Sequence, residues 1–267
     1  MNTENQHHDV HKPSKHRPAR TILDLNRDEL LELIRLFMGN VLVHYGMWFT
    51  ECVHQFGCEQ TLELERKAFY RYAPLAMKKL MPHLKSDKST DMAHPLSQKN
   101  HDELVGLIKD LAKTWVASDG VWFQAVETHA GMAAAKEIND RCWANFAKLE
   151  ASKITRFLGL QPGCGLLGLQ AALEFRTYSV INRHTSEVKE DGSLVLTLQE
   201  CRVQDSRRRK KMDDYPCKTA GVIEYSSFAT FVDNRIQTQC LYCPPDPVVS
   251  DHYCSWRFVI GEGRKGS

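Results

Sequence analysis

The residues best equipped for chemistry lie near the C-terminal end, in the run Cys240-Leu-Tyr-Cys243-Pro-Pro-Asp246-Pro-Val-Val-Ser-Asp251-His252-Tyr-Cys254. Two of its three thiols form a Cys-x-x-Cys, and Asp246, Asp251 and His252 lie between them and Cys254. Such a set admits a metal site, a redox pair, a nucleophile with its base, or a plain reduced strand end. Thiolates are ligands of tetrahedral zinc, and a coordination position left to water would supply a nucleophile. A thioredoxin-type redox pair needs a helix directly after the motif, and Pro244 and Pro245 discourage one.

Cys201 and Cys217 bring the cysteines of the last 67 residues to five of the nine in the chain. Nine is odd, and the first residues, MNTENQHHDVHKPSKHRPAR, lack the apolar core of a secretory signal. Thiols kept reduced in the cytosol are therefore expected rather than a disulfide framework, which implies a cytoplasmic location. Residues 1–21 read as a disordered tail and 263–267 as a second loose end. No run of about 18 apolar residues stands out, so a membrane span is not expected. A net charge of +2 sets up no global field toward nucleic acid or an anionic membrane. The local basic run Arg207-Arg208-Arg209-Lys210-Lys211, with Arg202 and Lys218 nearby, reads as a solvated connection or an anion-binding patch. Nucleic acid ranks last as its partner, because no aromatic residue interleaves the run.

The elements that must position these groups begin with an internal duplication. Asp28-Glu29-Leu30 and Asp102-Glu103-Leu104, Leu33-Ile34 and Leu107-Ile108, Gly46-Met47-Trp48-Phe49 and Gly120-Val121-Trp122-Phe123, and Gly57 and Gly131 share one register of 74 residues. Two related helical hairpins within 22–160 follow, with repeats at about 28–63 and 102–137. Apolar residues recur at helical spacing from Leu30 to Cys52, Asn26 can cap the start, and Gly57 is placed to end it. A second helix is expected from about Gln60 to Leu80 with a kink or break at Pro74, then helices from about His101 to Ala130 and Ala133 to Leu158. His44 and Glu51 share one helical face beside Trp48, while Asp119 and Glu127 flank Trp122 and Phe123. They read as rim or core polar groups, or as a pocket between the copies holding a ligand or an acid/base pair.

From 161 to 262 the pattern turns to α+β. Gly163-Cys164-Gly165-Leu166-Leu167-Gly168 has the spacing of a dinucleotide loop, but no strand leads into it, so it reads as a linker. Strands are expected over Glu174–Val188, Leu194–Val203, Arg235–Tyr242 and Cys254–Ile260, with a helix over about Thr219–Val232. The fold class is therefore α+β: duplicated helical hairpins followed by a four-stranded antiparallel β-β-α-β-β unit. A hairpin between the last two strands must bring Cys240, Cys243 and Cys254 to one end of the sheet. Cys201 at the end of the second strand, or Cys217 before the helix, can complete a tetrahedral zinc set.

His44 through Glu51, Asp119 through Glu127, Cys201-Arg202-Val203-Gln204, Tyr215-Pro216-Cys217-Lys218, Glu224-Tyr225 and the trailing cysteine blocks together resemble a bacterial and archaeal family labelled only "cytosolic protein", a domain of unknown function. The C-terminal half is distantly similar to L-2-amino-thiazoline-4-carboxylic acid hydrolases and to four-vinyl-reductase-type small-molecule-binding domains. That resemblance implies a small-molecule enzyme or a ligand-binding module.

The combined expectation is a zinc-dependent hydrolase acting on a carboxylate-bearing compound. In it Cys240, Cys243, Cys254 and either Cys217 or Cys201 hold the metal, and Asp246 or His252 accepts a proton, with His44 and Glu51 as outside candidates. Arg202, Arg207 and Arg208 hold the carboxylate, and Trp48 and Trp122 line the pocket. The alternative is a non-enzymatic ligand-sensing or dimerising module with structural zinc.

Overall fold

The computed structural model describes residues 20–84, 96–247 and 252–261. The tail at 1–19, Asp251 and the loose end at 263–267 lie outside these residues.

Two helices start by the same device, 74 residues apart. Asn26 accepts from the Glu29 amide while the Glu29 carboxylate accepts from the Asn26 amide, opening α1 (Arg27–Phe56). Asn100 and Glu103 do the same for α3 (His101–Leu158). Each such reciprocal cap satisfies two otherwise orphaned amides. The breaks also match: Gly57 has φ 80° and ψ 168°, and Gly131, inside α3, has φ 84° and ψ 171°. That region is essentially closed to residues with a Cβ. Trp48 and Trp122, 74 residues apart, stack with planes 9° apart and centroids at 6.4 Å.

Between them α2 (Cys58–Leu84) continues through both Pro74 and Pro82, so the break expected at Pro74 is absent. Tyr70, whose carbonyl loses its helical donor to Pro74, lies on the exposed face, where water can replace it. By length and composition α1 is apolar enough to cross a membrane, with a window of mean hydropathy 1.2, although no unbroken apolar run marks it in the sequence. Of that window 39% is buried inside the fold, and it carries the buried polar side chains Asn40 and His44.

The remaining chain adds α4 (Gly165–Glu174), β1 (His184–Val188), β2 (Leu194–Leu198), α5 (Arg202–Arg209), α6 (Lys218–Val232), β3 (Ile236–Tyr242) and β4 (Cys254–Ile260). The sheet is antiparallel in the order β1-β2-β4-β3, which makes the protein α+β. Four local expectations change. The strand expected over Leu194–Val203 ends at Leu198, and its last two residues open α5. The strand expected from Glu174 starts only at His184, because α4 and a short 3₁₀ turn occupy the residues before it. The Gly-rich linker opens α4, and Arg207, Arg208 and Arg209 of the basic run form the last turn of α5, with Lys210 as its cap. Nothing in the apolar pattern of Arg202–Arg209 marks a helix; its ion pairs and tertiary contacts hold it.

The inner sheet face carries Leu194, Leu196, Trp256 and Phe258 against α6, with Tyr225 over Trp256 at 4.7 Å. Gly221 permits this contact, since a Cβ there would sit 2.6 Å from the indole. The main core runs from α1 and α3 through α4 and α6 to the sheet, and a second core gathers Trp48, Trp122 and Ile138.

Gly131→Ala should cost about 1–3 kcal/mol of unfolding free energy, because its Cβ meets no neighbour but its backbone is strained. Gly46→Ala, at ordinary helical φ in α1 with open space around it, should instead gain up to about 1 kcal/mol. Urea unfolding of the two variants compares them directly.

Candidate functional site: a cavity between the helical and sheet layers

The β2/β4 register sets Leu198 opposite Cys254, so the first residue of β4 faces the start of α5. On the other side, β3 ends in a bulge between Cys240 and Tyr242, and the chain turns at Pro244-Pro245. The Lys218 amide donates to the Pro244 carbonyl at 2.9 Å, and Lys218 Nζ pairs with Asp246 at 2.7 Å. These two bonds tie the beginning of α6, with Cys217 just before it, to the chain beyond β3.

The result is a cavity of about 130 Å³ bounded by α3, α5, α6 and the sheet end. Cys201, Cys217, Cys243 and Cys254 all line it. Cys243 is the centre of the thiols: interaction with Cys217 and Cys254, and then burial, raise its pKa. Cys217 donates to the Tyr215 carbonyl at 3.3 Å and accepts from Gln204 Nε2 at 3.1 Å. Burial pushes Cys201 up to about 12. All nine cysteines are free thiols. Despite the thiol contacts, no group of three or more His, Cys, Asp or Glu side chains among the described residues is arranged to hold a metal ion. Cys240 touches Cys243 but lies outside the cavity wall.

Two carboxyls face the same space. Asp119 Oδ1 accepts from Trp48 Nε1 at 3.0 Å and Asn139 Nδ2 at 3.1 Å. Burial raises Asp119 to about 6, and those two donors limit the rise. Glu224 is raised by burial to about 7, opposed by Arg176. Arg176 Nε donates to Glu150 Oε2 at 2.9 Å, and the Thr177 amide donates to Glu150 Oε1 at 2.8 Å. Arg176 Nη2 sits 2.7 Å from Glu224 Oε1 but is not aligned as a hydrogen-bond donor, so that contact is mainly coulombic. One guanidinium between two buried carboxyls leaves a net negative charge, and a proton on Glu224 relieves it.

The residues expected from sequence disperse around this centre. His44 is fully buried among Trp115, Trp143 and Phe146, and burial lowers it to about 3. Its Nε2 is 3.6 Å from Asp119 Oδ1, beyond hydrogen-bond reach, so the neutral imidazole forms no ion pair there. Glu51 points elsewhere, to Arg141 at 2.8 Å. Asp246 is held by Lys218, and His252 packs edge-on to Tyr242 at 5.9 Å. Arg207 lines the cavity but is bound bidentately by Glu127 at 3.2 and 3.0 Å, and Arg208 is bound by Asp214. Arg202 also lines the cavity, and its Nε donates to the Ile181 carbonyl at 2.7 Å. Trp48 and Trp122 are buried behind the wall rather than in it.

The sequence reading did not single out Arg176, Glu150 or Asn139, and it noted Glu224 only as part of a resembling block. Asp119 was visible as a polar break in an apolar stripe. Arg176 fell inside a misread strand, and nothing local marks it as a buried cation.

A family model described as "Family of unknown function (DUF6125)" matches residues 23–97 and 95–260. No curated protein and no solved structure matches the chain.

The Asp119 shift has a defined sign in stability. Its folded pKa exceeds the unfolded one, so between about pH 4 and 6 the native state binds the proton more tightly. Its contribution is present at low pH and is lost as pH rises through 6. Asp119→Asn keeps an acceptor for Trp48 and removes the titration. The stability of the variant relative to the native protein should therefore rise by on the order of 2 kcal/mol from pH 4 to pH 7. Denaturant unfolding of both proteins across that range measures the difference.

Proposed function

We propose that this chain, which belongs to the family of unknown function DUF6125, is an enzyme that hydrolyses a small carboxylate-bearing compound in the cavity between α3 and α6. The observation carrying this reading is that one cavity collects two carboxyls raised toward neutral pH and four thiols. A proton acceptor that activates water works best with a pKa near the working pH, and the partner acid then protonates the leaving group. Glu224 takes the proton-transfer role in place of Asp246 and His252, and Asp119 lines the same wall as a binding group. Arg202 takes the substrate carboxylate, since it is the wall's guanidinium without a carboxylate partner among the described residues, Arg207 being committed to Glu127. Free thiols suit a reducing cytoplasm.

Turnover is tested on a panel of carboxylate-bearing amides, esters and lactams. Against any substrate found, Glu224→Gln should lower kcat by roughly 10²–10⁴-fold. Arg202→Ala should raise KM with little change in kcat, the mark of lost uniform binding. Tight binding without turnover would replace the hydrolase by a sensing module built on the same cavity.

The meeting of Cys217, Cys243 and Cys254 favours a second reading, in which zinc replaces the thiol protons and Cys201 or Cys240 completes the set after a local shift. Protein purified without added metal should then carry close to one equivalent of zinc. A content below about 0.1 equivalent, with all nine thiols titrating after unfolding, would sink the zinc reading and leave the cavity chemistry standing.

A further inference from the structure

We propose that the inner part of this cavity binds a compact organic cation, a protonated amine, against Asp119 and within a ring of aromatic faces. The inference rests on the reading of the cavity as a ligand site and adds the charge of the ligand's deep end. Asp119 is 8% exposed, and its Oδ1 is fully engaged by Trp48 and Asn139. Those two bonds fix the carboxyl plane. Among the described residues, Oδ2 takes no hydrogen bond, and Asp119 belongs to the cavity wall. Glu224 repeats the arrangement: Oε1 faces Arg176, Oε2 has no partner among the described residues, and the residue is again 8% exposed. Neither oxygen is sealed off: both carboxyls line the cavity, where a ligand ammonium can replace water with a charge-assisted hydrogen bond.

The charges around the cavity point the same way. In and just behind the wall, the carboxyls Asp119, Glu127, Glu150 and Glu224 face three guanidinium groups, Arg176 and Arg207 buried and Arg202 exposed. Lys136 and Asp140 next to Tyr215 pair with each other at 3.1 Å. His44 beside Asp119 adds no positive charge, and the thiols are neutral. Close to Asp119 and Glu224 this balance favours a cation, while Arg202 at the exposed side takes an anion, so the two ends of the cavity suit opposite charges.

Phe123, Trp143, Tyr178, Tyr215, Tyr225 and Trp256 supply the aromatic lining. Aromatic side chains stabilise a desolvated ammonium, and Phe123, Tyr215 and Tyr225 already hold Arg207, Lys136 and Arg176 in this way. An independent feature shows that the wall is not built for an inert apolar filler. The Trp256 indole nitrogen is buried, in a residue 1% exposed that lines the cavity, and it has no hydrogen-bond partner. A ligand acceptor atom away from the ammonium would satisfy it. Arg202, in the same wall, is placed for the carboxylate of the proposed substrate.

The test uses three probes of one size on the full chain: n-butylammonium, 1-butanol and butyrate. Binding is followed through the indole N–H resonances in ¹⁵N-labelled protein. Butylammonium should bind about tenfold or more tightly than either alternative, the worth of one charge-assisted hydrogen bond. Asp119→Asn should reduce it to the level of the alcohol. Glu224→Gln should weaken it by a smaller factor, and this variant serves alone if Asp119→Asn fails to fold. Butanol or butyrate binding as tightly as butylammonium would overturn the cation site while leaving the cavity as a ligand site. An undiminished ammonium preference in the folded variants would do the same. No response to any of the three probes would overturn the ligand reading together with this one.

Discussion

The packing of the helical layer on the α+β layer turns on one buried guanidinium. Arg176 is 1% exposed, reaches Glu150 on α3 and Glu224 on α6, and lies over the rings of Trp143, Tyr225 and Phe228. Burial alone would lower its pKa, but the two carboxylates outweigh that and raise it. Isolated charges of this kind are expensive to bury, and pairing with supporting hydrogen bonds is what makes them tolerable. The Thr177 amide on Glu150 is one such support. Loss of the cation would strand two buried carboxyls between α3 and α6, the two elements that bound the cavity.

The same constraint explains why the cavity is chemically unusual. Holding Glu224 on the shared guanidinium places its second oxygen toward the open space, while Asn139 and Trp48 do the equivalent for Asp119. The sheet end contributes thiols because the Lys218–Asp246 pair and the β2/β4 register bring three separate chain segments to one place. Acidic, aromatic and sulfur-bearing walls thus come from different layers, and each is fixed by a few directed contacts. The packing constraint and the site chemistry therefore share atoms, and replacing a group in one perturbs the other.

Much of the framework is legible in the chain. The matched pairs at spacing 74 anticipated two glycine breaks, Asn26 was legible as a cap, and the alternation in Cys254–Ile260 anticipated a strand with Trp256 and Phe258 in the core, although Ile260 is exposed. The cysteines did gather at a sheet end, but with Cys243 at the centre and Cys240 outside the wall. Arginine roles were the least legible. Arg207 and Arg208 look like free cations in a basic run, yet each is bound to an acid, and the Glu127 partner of Arg207 lies 80 residues away. Arg176, flanked by unremarkable residues, became the central ion.

The sequence alone determined the local matters: a helix cap, glycine breaks, strand alternation and the α+β class. These depend on periodicity and on contacts within a few residues, so residue order carries them. Tertiary structure decided which carboxyls are buried, which arginines are spent, and which thiols share a cavity. Those properties arise from desolvation and from pairing across long chain separations. For the run ending in Cys254, this means its role follows from the partners that α5 and α6 bring to it.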